Sequence, residues 1–179
     1  TLFNRLVGKR QAIVDDRPGV TRDWREGIAD LAGLKFRIVD TAGLEEAFDD
    51  SIQARMRRHT EQIVSDADLV LFVIDVRTGV TPLDTHFANW LRKCDSPVAV
   101  VANKCESKFE HSGMSDAFGL GVGDPIAVSA EHNEGFADLY SVVKQWIGEN
   151  FSEDLTKEGI AVPLQLAIVG RPCLLYTSP

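Results

Sequence analysis

The 179-residue chain carries 19 basic and 27 acidic side chains, a formal charge of −8, with 44% hydrophobic and 26% charged residues. That composition suits one globular domain with a sizeable core, and the acidity excludes a surface that coats nucleic acid by charge alone. Cys94, Cys105 and Cys173 form no C-x-x-C pair, which suits a reducing compartment and offers neither a disulfide framework nor a metal signature; no apolar run approaches a membrane span, and there is no signal-peptide pattern.

In chain order, residues 1–7 read as a helix fragment closed by Gly8, and residues 15–23 (DDRPGVTRD) as a polar loop around a Pro-Gly turn. Residues 24–31 alternate as a strand, Ala32-Gly33 turns it back, and residues 36–39 return antiparallel to it. A helix follows with Ile52, Met56 and Ile63 inward. Residues 68–75 (DLVLFVID) are almost continuously apolar, the mark of a parallel strand covered on both faces. Thr81-Pro82 opens the next helix as cap and first residue, with Leu83, Phe87, Trp90, Leu91 and Cys94 on one stripe. Residues 98–102 form another buried strand, 113–123 give no clear period, and 126–128 form a short strand. Phe136, Leu139, Tyr140, Val143 and Ile147 mark a last helix, after which residues 148–162 turn acidic and lose periodicity, as a linker does. Strands alternating with helices define an α/β fold with a mostly parallel sheet.

Three polar clusters stand where three of these strands end: Asp40-Thr41-Ala42-Gly43, Asn103-Lys104-Cys105-Glu106 and Ser129-Ala130-Glu131. In parallel α/β sheets, ligands bind at that edge. Asp40 is placed to hold a Mg²⁺ ion directly or through water, and Gly43 lets a backbone N–H reach a terminal phosphate. A carboxylate at Glu106 accepts the N1–H and 2-amino protons of guanine together, whereas adenine would leave it unpaired. Lys104 can lay its methylene stem on the base, Asn103 can tie the loops together, and the Ala130 N–H can meet guanine O6.

DTAGL, NKCE and SAEHNEG resemble the third, fourth and fifth guanine-binding motifs of translation-factor-class GTPases, and DDRPGVTRD resembles the second. The spelling TLFNRLVGKRQAIVDDRPGVTRD is similar to the first G domain of the bacterial tandem-domain GTPases, the Der or EngA family. This resemblance, over residues 1–172, implies a P-loop NTPase-type G domain with helices on both faces of its sheet. It implies that the protein binds GTP and GDP, hydrolyses GTP to GDP and phosphate, and acts in the cytoplasm in large ribosomal subunit assembly through subunit or rRNA contacts. A second G domain and a KH-like domain would accompany it in cis. Thr21 would ligate Mg²⁺ and sense the γ-phosphate, Asp40 would support the Mg²⁺ shell, and the Gly43 N–H would touch the γ-phosphate. Asn103, Lys104 and Glu106 would read guanine, with Ser129 and Ala130 completing the pocket.

The family's G-x-x-x-x-G-K-S would stand directly before Thr1, so the first strand and phosphate loop are expected to be missing. The chain as written is then expected to bind GTP poorly, to be inactive, and to leave apolar faces uncovered at the sheet centre. Residues 164–172 (LQLAIVGRP) resemble the opening strand of a second G domain, and residues 173–179 (CLLYTSP) resemble translated sequencing adapter, with a genuine short tail as the alternative. The division that follows is 1–147 first G domain, 148–162 linker, 163–172 opening strand of a second, and 173–179 non-native tail.

Two departures bear on chemistry. The base-reading acid is Glu106 where Asp is commoner, and Leu44 stands where Ras-like enzymes carry a water-orienting Gln. The family route uses a monovalent cation such as K⁺ near the phosphates. A domain that binds guanine nucleotide without hydrolysing it is the alternative reading. Arg55, Arg57, Arg58 and His59 read as a solvated helix face, His132 as having no metal-binding company, and Ser129 as no nucleophile, since no His/Asp pair accompanies it.

Overall fold

The computed structural model describes residues 2–8, 25–41, 53–106, 111–150 and 164–170. Helix α1 (Leu2–Val7) precedes a hairpin of β1 (Arg25–Leu31) and β2 (Leu34–Asp40); α2 (Gln53–Asp66), β3 (Leu69–Asp75), α3 (Pro82–Leu91), β4 (Val98–Asn103), α4 (His111–Gly119), β5 (Pro125–Val128), α5 (Phe136–Asn150) and β6 (Gln165–Gly170) follow. The six strands form one sheet in the order β1-β2-β6-β3-β4-β5, with β1 antiparallel to β2 and the other pairs parallel. The hairpin turns on Ala32 and Gly33, at φ +52° and +89°, and Asp30 Oδ1 accepts the Gly33 N–H at 2.8 Å. Two central residues with positive φ match the right-handed twist of the flanking strands.

Side chains alternate across the inner strands and build two cores. Leu69, Leu71, Val73, Val101, Leu166 and Ile168 face α1 and α5, packing with Leu2, Phe3, Leu139 and Val143. Val70, Phe72, Ile74, Val100, Ala167 and Val169 face the other way, against Val64, Phe87, Leu91 and Ala117 of the remaining helices. This period of two explains why β3, β4 and β6 are apolar almost throughout: both faces are covered.

The sheet centre, where the sequence leads one to expect a missing strand, is filled. Gln165–Gly170 lies parallel between β2 and β3, with Asp40 in register with Ile168 and Val73 with Gly170. Its composition suits a slot buried on both faces, and Leu166, Ala167, Ile168 and Val169 are fully buried. Its ends are tied by side chains: Asp68 Oδ2 accepts the Gln165 N–H at 2.8 Å, and the Thr41 hydroxyl donates to the Ile168 carbonyl at 2.8 Å.

Other boundaries moved. Helix α4 starts just before and runs into the stretch 113–123 that shows no period in sequence; Gly113 and Gly119 thin its apolar stripe, leaving Ala117 with Leu120 just beyond as its buried anchors. Helix α5 runs to Asn150, past the boundary expected at 147. Helix α2 buries Val64 with Ile63 packed beside it, while Ile52 and the Met56 side chain lie outside the described residues.

The start of α3 is as the sequence predicts. Thr81 Oγ1 accepts the Asp84 N–H at 3.3 Å, Asp84 Oδ2 accepts the Thr81 N–H at 2.9 Å, and Pro82 opens the helix. Thr81→Ala is expected to cost about 1 kcal/mol, read as a lower urea midpoint with unchanged slope.

Candidate functional site at the carboxyl edge of the sheet

Asp40, Asp75 and Asn103 are the last residues of β2, β3 and β4, and Ser129 follows directly on β5. All four are buried, so the parallel strands deliver a row of polar groups to one edge. Asp75 pairs in register with Asn103, and Asn103 with Val128.

Asn103 joins two loops. Its Oδ1 accepts the Lys104 N–H at 2.8 Å and the Ala130 N–H at 3.1 Å. The Ala130 N–H, expected to meet a base oxygen, therefore has a protein partner here. The loop after β5 is closed by Ser129 and Glu134, whose backbones exchange hydrogen bonds at 3.0 and 3.1 Å. Arg5 of α1 steadies the same loop, donating from Nε to the Ala130 carbonyl at 3.0 Å and from Nη2 to the Glu131 carbonyl at 2.8 Å.

Lys104 has a positive φ of 65°, and its Nζ reaches Asp75 Oδ2 at 2.7 Å. The ion pair stretches the lysine stem from the β4 loop to the end of β3. Asp75 Oδ1 in turn accepts the Arg77 N–H at 3.0 Å.

Glu106 stands at the mouth of this arrangement. The Ser129 hydroxyl donates to its Oε1 at 3.3 Å, Arg77 Nη2 donates to its Oε2, and His132 Nε2 lies 3.6 Å from Oε2. Ligand atoms of Glu106, Glu131 and His132 fall within 4.8 Å of one another, so His132 has company that its sequence position does not reveal.

The structure thus brings Asp40, Asn103, Lys104, Glu106, Ser129 and Ala130 to one sheet edge. Thr21, Gly43 and Leu44 lie outside the described residues, as do the side chains of Arg55, Arg57, Arg58 and His59. Asp75, Arg77 and Arg5 belong to the network without having been singled out from sequence. Asp75 had a signal, since it closes an apolar strand as Asp40 and Asn103 do; Arg5 and Arg77 had none, because their partners are distant in the chain.

Neighbouring features contribute little chemistry. A concavity of about 420 Å³ between Arg5, Asp30, Asn133, Phe136 and Tyr140 includes none of the strand-end groups. Burial pushes the Cys94 thiol up, and Glu61 and Asp95 add to this, so it is a poor source of thiolate. No helix among the described residues is long and apolar enough to cross a membrane.

A mostly parallel sheet with helices on both faces, polar strand ends and a two-strand antiparallel margin is the architecture of a G domain. Solved structures agree on the fold: the G domain of the T. maritima FeoB iron transporter matches with a TM-score of 0.54 at 22% identity, covering 81% of this chain and 88% of that one. The cytosolic domain of the same transporter in a GDP form gives 0.60 at 20% identity, covering 89% and 61%. The family model described as 50S ribosome-binding GTPase matches residues 1–104, and the chain belongs to that family. Among curated relatives, the GTPase Der of Jannaschia sp. (strain CCS1) is 54% identical over 183 residues, covering 96% of this chain and 38% of that protein. The GTPase Der of Dinoroseobacter shibae is 50% identical over 195 residues, covering 96% and 40%. These relatives bear out the family resemblance read from the motifs, and the chain spans about two fifths of their length.

Proposed function

We propose that the chain contributes a guanine-nucleotide site at the carboxyl edge of its sheet and that the full-length protein hydrolyses GTP to GDP and phosphate during large ribosomal subunit assembly in the cytoplasm. The observation that carries the reading is the Glu106 carboxylate, held by the Ser129 hydroxyl beside a loop pair that Asn103 ties together. A carboxylate so placed accepts two donors on one edge of a base, which guanine offers and adenine does not. Lys104, stretched toward Asp75, supplies an aliphatic stem for the base face. The description of the family and the name of the relatives support the ribosomal role and the hydrolysis.

Asp40 is fully buried at the end of β2, and an oxygen donor there fits a hard cation. Mg²⁺ would be held by Asp40 and Thr21, and it supplies neutralisation of charge on the phosphates; K⁺ would act near the same phosphates. The Gly43 N–H would meet the γ-phosphate. The division into a first G domain (1–147), a linker (148–162) and the opening strand of a second (163–172) is part of the proposal, with that opening strand filling the centre of the first domain's sheet in this 179-residue chain. It is supported by where β6 ends: a Cβ on Gly170 would lie 2.5 Å from the Val73 carbonyl, so the chain passes neighbouring backbone there with room for glycine alone. That close passage is what a strand leading into a phosphate-binding turn requires. The KH-like domain and the second G domain would be partners in cis.

Glu106→Gln in the full-length protein tests the base site. Losing a charge-assisted hydrogen bond costs about 1.5–3 kcal/mol, so GTP affinity by calorimetry is expected to fall about ten-fold or more at this site. Xanthine nucleotide should gain relative to GTP, because the new amide donates to the 2-carbonyl. Unchanged GTP affinity would rule out Glu106 as the base reader. Leu44 favours the alternative of a binding module without hydrolysis, and multiple-turnover phosphate release separates the two.

A further inference from the structure

We propose that Arg77 is an internal competitor of guanine, seated on the base-reading carboxylate and displaced when nucleotide binds. The proposal rests on the base-site reading of Glu106 and adds a regulator to that site. Ring atoms N1, C2 and N3 of guanine, with its 2-amino nitrogen, make up a guanidine. Its donor edge therefore presents to a carboxylate the same fork of N–H groups that an arginine presents.

In this structure the carboxylate is already covered. Arg77 Nη2 donates to Glu106 Oε2, the Ser129 hydroxyl takes Oε1 at 3.3 Å, and His132 Nε2 stands 3.6 Å from Oε2. The Glu131 carboxylate approaches the same group and disfavours leaving Glu106 without a donor. Arg77 Nη2 and His132 Nε2 both crowd Oε2, so a guanine donor there takes the place of Arg77, whereas the Ser129 hydroxyl can stay as a second donor on Oε1.

Arg77 is built for that exchange. Its backbone is pinned just past β3, where its N–H donates to Asp75 Oδ1 at 3.0 Å and the Thr78 hydroxyl donates to the Asp75 carbonyl at 3.2 Å. Its side chain is 48% exposed, against 15% for Glu106, so the guanidinium can swing into water while its anchor stays fixed. Arg77 and Lys104 thus both bind Asp75, Arg77 through its backbone N–H while its side chain reaches the Glu106 carboxylate, and Lys104 through its Nζ.

The test is stopped-flow binding of fluorescent GDP to the full-length protein, with the phase belonging to this site identified as the one weakened in Glu106→Gln. Exposed ion pairs are weak, so Arg77→Met is expected to tighten GDP at that phase about three-fold. GDP and GTP should be affected alike, because Arg77 meets the base reader and not the phosphates. Arg77→Lys should fall between, since an ammonium offers no fork. Added salt should narrow the gap between wild type and Arg77→Met by screening the pair. Equal or weaker GDP binding in Arg77→Met, with the Glu106-dependent phase intact, overturns the competitor and leaves the base site standing. If no phase responds to Glu106→Gln, the base site itself fails and Arg77 has nothing to compete for.

Discussion

Ile168→Asp is expected to leave the 179-residue chain without a native fold, seen as loss of the cooperative transition in far-UV circular dichroism. Ile168 is fully buried at the centre of the sheet, in register with Asp40 on one side and Leu71 on the other. Among the described residues, β2 and β3 pair with β6 and not with each other, so β6 alone joins the hairpin to the β3-β4-β5 half. An unpaired carboxylate in that position costs several kcal/mol, against a total stability of about 5–15 kcal/mol for a domain. The graded variant Ile168→Ala should keep the fold and lose about 2–5 kcal/mol in urea titration. Val142→Lys is the control, since Val142 is 37% exposed on α5 and surface changes usually stay within about 0.5 kcal/mol. A native midpoint in both Ile168 variants would mean that β6 does not occupy the sheet centre.

Asn103→Ala is expected to be the most damaging single change at the candidate site, costing about 2–4 kcal/mol through two stranded N–H groups. Its Oδ1 is the acceptor for both Lys104 N–H and Ala130 N–H, and Ala130 is buried, so water does not readily replace the lost partner. The two loops it ties carry Glu106 and Ser129, so the damage extends beyond stability. Hydrogen exchange should show Lys104 and Ala130 amides losing protection beyond what the global loss explains, with Val101 in β4 following the global value. Nucleotide affinity should fall with it, although the base-reading carboxylate is untouched. Local protection unchanged in the variant would show that the loops are held by something other than this amide.

Much of the frame was legible because its causes are local. Unbroken apolar runs mark β3 and β4, alternation and a tight turn mark the β1–β2 hairpin, and Thr81-Pro82 marks the start of α3. Helix α4 escaped because two glycines weaken its period, and its packing against β4 and β5 compensates only in three dimensions.

At the site, the residue types were readable and their connections were not. Asp40, Asn103, Glu106 and Ser129 stood out because each polar residue closes or follows an apolar strand, and parallel strands must deliver such residues to one edge. Their partners could not be read, since Arg5 meets Ala130 and Glu131, Lys104 meets Asp75, and Arg77 meets Glu106 only after the strands lie side by side. Glu106, read from sequence as waiting for a base, is in the folded chain already held by an arginine.

The sequence by itself determined the alternation of strands and helices, the faces they bury and the chemical types at the strand ends, because these depend on periodicity and on residues adjacent in the chain. Tertiary structure alone decided which strand takes the centre of the sheet. Residues 165–170 read as the beginning of something further on, yet they lie between β2 and β3, because a short apolar strand is most stable where both its faces and both its edges are covered.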